Sequence, residues 1–85
     1  MSLVDDLAAK LAFDVCNALD DLGDDRFYDK VSKVILEVSP TMQEGFNTAI
    51  KVILAEKKGR EFLERTLEAK KSGRAAPKIP SASGH

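Results

Sequence analysis

Tryptophan is absent from this sequence, tyrosine occurs once and phenylalanine four times. Leu, Ile, Val and Ala must therefore fill most of any interior. Cysteine occurs once, as Cys16, so an intrachain disulfide is excluded and a reducing compartment is expected. The one histidine is His85, the last residue. A side chain at the end of a tail cannot be held in place as a general base. No run of 18 apolar residues exists, which argues against a membrane span. The opening "MSLVDDLAAK" has aspartates where a secretion signal needs basic residues, so none is expected and the cytoplasm is the expected location. No Ser/His/Asp set, phosphate-binding glycine loop or zinc-ligand spacing is present. The chain is therefore expected not to be an enzyme and to need no cofactor or metal.

What is present points to one small globular domain. The 85 residues are 44% hydrophobic and 32% charged. A core of that size is marginal, and small bundles often gain stability by oligomerising. The net charge of −1 hides a polarity along the chain. Residues 1–45 carry four basic and ten acidic side chains, and residues 46–85 carry nine basic and four acidic. Such a chain can meet a second copy of itself, negative half to positive half, or a charged partner.

Helical spacing dominates. Ser2 is placed to cap a first helix, with Asp5 and Asp6 in its first turn. Val4, Ala8, Leu11, Val15, Ala18 and Leu22 recur at intervals of three and four, widened by Leu3, Leu7, Ala12, Cys16 and Leu19. Cys16 is thus expected to serve as a small buried hydrophobe. Gly23 is placed to close the helix. A second helix is expected after a cap at Asp24 or Asp25. Its apolar face is Phe27, Val31, Val34, Ile35 and Val38, with Tyr28 beside it and Asp29, Lys30, Ser32, Lys33 and Glu37 opposite. It should stop at Val38, because Ser39-Pro40 reads as an N-cap followed by the first residue of a third helix.

The third helix carries Met42, Phe46, Ala49, Ile50, Ile53 and Leu54. At roughly 100° per residue, Ala49, Ile50, Ile53 and Leu54 lie within about 80° of Phe46. Phe62, Leu63, Thr66 and Leu67 centre about 140° away from that group. One straight helix would then need two buried faces. A break at Gly59 removes the conflict, with a fourth helix from Arg60 to Lys71. An unbroken helix would instead need a second chain to cover Phe62, Leu63 and Leu67. The break is the expected arrangement, since glycine is favoured just past a helix end. The expected fold is all-α: a small bundle of three to four helices over residues 1–72 and a flexible, disordered tail over 73–85.

Four surfaces are candidates for function. The apolar group Phe62, Leu63 and Leu67 is a candidate interface. Asp20, Asp21, Asp24, Asp25 and Asp29 form an acidic surface. Set against a calcium loop starting at Asp20, it fails at Leu22, Asp25 and Val31, where a ligand, a glycine and a glutamate are required. The turn at Ser39-Pro40 between two helices suggests a helix-turn-helix, in which Asn47 and Lys51, with Lys57, Lys58 and Arg60, would contact nucleic acid. Glu44 and the acidic first half weigh against it. Finally, "RAAPKIP" matches the R-x-x-P-x-x-P form that polyproline-binding domains accept. The leading expectation is a non-catalytic protein–protein interaction or regulatory module, acting as a homodimer or with another protein partner. A nucleic-acid-binding regulator is the alternative.

Overall fold

The computed structural model describes residues 2–79. The described residues form three helices and no strand, so the fold is all-α. α1 spans Leu3–Leu22, α2 spans Phe27–Leu36 and α3 spans Pro40–Lys71. The chain divides into two units, Met1–Ala55 and Glu56–His85. α3 begins in the first and ends in the second. Beyond Gly73 the described backbone is irregular as far as Ile79. Pro80 of the R-x-x-P-x-x-P match and His85 lie outside the described residues.

The helix ends follow local chemistry. The Ser2 hydroxyl accepts from the Asp5 backbone N–H at 3.1 Å, and Gly23 closes α1 with a φ of 65°. That left-handed turn lets the Gly23 N–H reach the Asp20 carbonyl and the Asp24 N–H reach the Leu19 carbonyl. Ser39 caps α3 by accepting from the Met42 N–H at 3.1 Å. Pro40 takes the first helical position, where its missing N–H costs nothing. α2 starts later than expected, at Phe27, with Arg26 as its N-cap rather than Asp24 or Asp25. Asp24 acts two residues upstream: its Oδ1 accepts from the Arg26 N–H at 3.1 Å and forms a side-chain turn leading into the helix.

The first unit holds the core. Ala8, Ala12, Val15 and Cys16 of α1 pack with Phe46, Ile50 and Ile53 of α3, all buried. Leu11, Leu19, Phe27, Tyr28, Val31, Ile35, Met42, Ala49 and Leu54 close around them. Among the described residues Phe46 is the one large side chain sealed completely. α1 and α3 approach closely at Gly45, where an added Cβ would stand 3.2 Å from the Ala8 Cβ. Alanines on one helix and a glycine on the other bring two backbones together around few large side chains.

Two expectations about helical faces are corrected. α2 ends at Leu36, so Val38 lies beyond it and is exposed; on the helix Val34 is exposed, and Ser32, expected on the polar side, is buried. The buried face is turned toward Tyr28 and Ser32. The turn is tolerated because Gln43 of α3 donates its Nε2–H to the Ser32 Oγ at 3.2 Å, so the hydroxyl is not left unpaired. On α3, the expected break at Gly59 and the separate fourth helix do not occur. Among the described glycines only Gly23 and Gly73 have positive φ. A glycine inside a helix costs about 1 kcal/mol relative to alanine. Here the flanking Ala55, Glu56, Lys57, Lys58 and Glu61 are strong helix formers. An ion pair also spans the weak point: the Arg60 Nε donates to Glu56 Oε2 at 2.8 Å, in the favourable order with the acid first.

Candidate interaction surface

The second unit is the last part of α3 and the segment that follows it. The helix closes at Gly73, whose φ of 71° lets the Arg74 N–H reach the Ala69 carbonyl at 2.8 Å. Thr66 donates its hydroxyl to the Phe62 carbonyl at 2.8 Å. After the turn the chain runs back along one side of the helix. Ala75 and Pro77 share a shallow depression with Arg65, Glu68 and Ala69, and Ile79 shares another with Lys58, Gly59, Phe62 and Arg65. Ala69 is buried there and Phe62 is half-buried.

The structure therefore separates the three apolar residues expected to act together. Phe62 borders the returning segment. Leu63 and Leu67 are 51% and 54% exposed on a different side of the helix. At roughly 100° per residue, Leu63 sits within about 60° of Glu56, Gly59, Arg60, Thr66, Leu67 and Lys70. Two leucines thus occupy the middle of a strip with an acid at one end and a base at the other. Arg60 and Glu56 pair within this strip, and both guanidinium contacts reach the same carboxylate oxygen, Oε2. Glu61 and Arg65, which have the same favourable spacing, form no ion pair among the described residues.

The acidic surface is partly neutralised from within. Asp24 Oδ2 accepts from Lys30 Nζ at 2.8 Å, and Asp29 Oδ2 from Arg26 Nε at 3.0 Å. The Lys30 hydrogen bond, helped by the Arg26 backbone N–H, holds the Asp24 carboxyl below its usual range. Asp20, Asp21 and Asp25 are exposed. Among the described residues no three His, Cys, Asp or Glu side chains are grouped to hold a metal ion.

The residues considered for nucleic acid are scattered in character. Asn47 and Lys51 line a cleft of about 410 Å³ between α2 and α3, with Tyr28, Asp29, Ser32, Lys33 and Gln43. The Asp29 carboxylate lines the same cleft. In the second unit Lys57 and Lys58 are exposed, while Arg60 is engaged by Glu56.

No family model, curated protein or solved structure matches the chain. No helix among the described residues is long and apolar enough to cross a membrane. The Glu56–Arg60 spacing is visible in the sequence, but it signals a pair only if the helix continues through Gly59. Ala69 carried no signal: only the returning segment buries it.

Proposed function

We propose that this chain is a small non-catalytic interaction or regulatory module that works as a homodimer in the cytoplasm. One observation carries the reading: α3 continues through Gly59 and leaves Leu63 and Leu67 about half exposed on one side. Neighbouring exposed leucines on a helix lose stability to water that a covering surface would recover. The small core of the first unit supports the same conclusion, since a chain of this size gains from self-association. The exposed Asp20, Asp21 and Asp25 offer a separate surface to a basic protein partner.

Sedimentation equilibrium over the micromolar range tests the reading. The wild type is expected to form dimers, and Leu63→Asp with Leu67→Asp to be monomeric with unchanged helicity. A wild type that stays monomeric throughout would remove the proposal.

Nucleic-acid binding remains the alternative, supported by the exposed Lys57 and Lys58. Asp29 beside Asn47 and Lys51, and the internal pairing of Arg60, weigh against it. No duplex retardation is expected at about 50 mM salt. A shift that disappears steeply as salt rises would reverse the order of the two readings.

A further inference from the structure

The exposed strip around Leu63 matches a second copy of itself better in the antiparallel orientation than in the parallel one. Glu56 lies seven residues before Leu63 and Lys70 lies seven residues after it. Seven residues are about two turns, or about 10.5 Å along the axis, so both charges fall on the same side of the helix as the leucine. A second copy laid antiparallel, with Leu63 facing Leu63, sets Glu56 of each copy opposite Lys70 of the other. A parallel copy sets Lys70 against Lys70, which is repulsive, and Glu56 against Glu56, where Arg60 of the same helix already meets the carboxylate and leaves no gain.

Shape agrees with charge. The same antiparallel register places Leu67 of one copy opposite Gly59 of the other, four residues to either side of Leu63. Gly59 lacks a side chain, and a Cβ built there would meet nothing within 4 Å. Each Leu67 therefore has an open space to enter. In a parallel pair the two glycines face each other and leave that space empty, which forfeits contact. A two-fold axis through Leu63 also makes the contact closed, so pairing stops at two copies.

We propose that the chain dimerises through an antiparallel pairing of α3 between Glu56 and Lys70, centred on Leu63, with two Glu56–Lys70 ion pairs and two Leu67–Gly59 contacts across the axis. This rests on the homodimer reading above and adds its orientation and register. The returning segment borders Lys58, Phe62 and Arg65 and reaches Gly59 at the edge of the strip, where Ile79 shares a depression with it.

Charge exchange tests it. Glu56→Lys and Lys70→Glu each turn two attractive pairs into two repulsive ones. Each variant is expected to weaken dimerisation about tenfold by sedimentation equilibrium at low salt. The double variant Glu56→Lys/Lys70→Glu is expected to recover most of it, because the pairs across the axis re-form with their signs exchanged while the pair with Arg60 in the same helix stays lost. Restoration also guards against a trivial loss of helix, since the double variant carries both surface changes, and circular dichroism checks each protein. A wild-type dimer that the single changes leave untouched, or that the double change does not rescue, overturns the antiparallel register and leaves the homodimer standing. A monomeric wild type overturns both.

Discussion

At the scale of single residues, polar side chains decide where this chain departs from simple patterning. Ser32 is buried with its hydroxyl accepting from Gln43, so the face of α2 that packs inward includes a polar residue without leaving it unpaired. Asp24 gives one oxygen to a backbone N–H and the other to Lys30. Its carboxyl is therefore more acidic in the folded chain than in the unfolded one. A depressed acid contributes stability above its unfolded pKa of about 4 and loses it as pH falls through the folded value. Asp24→Asn keeps the Oδ1 acceptor for the turn but loses the charge that Lys30 meets. The variant is expected to be less stable than the wild type at neutral pH, with the gap closing as pH falls below about 4. Urea titrations at several pH values read this directly. A gap independent of pH would mean that the Lys30 contact contributes nothing through charge.

At the scale of elements, continuity of α3 is the decisive feature, and two of its glycines separate the causes. Gly45 sits against α1, where an added methyl group would press on Ala8. Gly59 has open space around it and ordinary helical φ. Gly59→Ala is expected to stabilise the helix of the single chain by about 0.5–1 kcal/mol, because it removes the glycine penalty without a clash inside the chain, and to weaken the proposed dimer by filling the space that Leu67 of the second copy would enter. Gly45→Ala is expected to fall short of that by about 1 kcal/mol, because the close approach must open. Hydrogen exchange of the amides on either side of each position measures both. Reduced protection around Gly59 in the alanine variant would show that the glycine is needed for a turn.

The sequence made α1 and the start of α3 legible because Ser2, Gly23 and Ser39-Pro40 are local signals that tertiary contacts did not override. Gly59 misled for a physical reason. Two apolar stripes out of phase argue for a break only if each helix face must be covered by its own chain. Leu63 and Leu67 are exposed, so that condition does not hold here. Phe62 was grouped with them by spacing, and only the returning Arg74–Ile79 segment, invisible to periodicity, sets it apart.

At the scale of the whole molecule, the charge polarity of the sequence takes a specific form. The acidic first half is partly compensated by Arg26 and Lys30, and the basic second half carries its own glutamates. The strip proposed to meet a second copy is about 21 Å of helix, from Glu56 to Lys70. One helix face of that length falls below the area of a standard stable interface. The dimer is therefore expected to be reversible and to dissociate in the micromolar range, so that concentration sets its population.

Sedimentation equilibrium of the wild type across that range reads the proposed self-association itself. Molecular weight is expected to rise from one chain toward two and to level there, with Leu63→Asp/Leu67→Asp held at one. A wild type that remains a monomer at every concentration, or that associates equally well without both leucines, would contradict it.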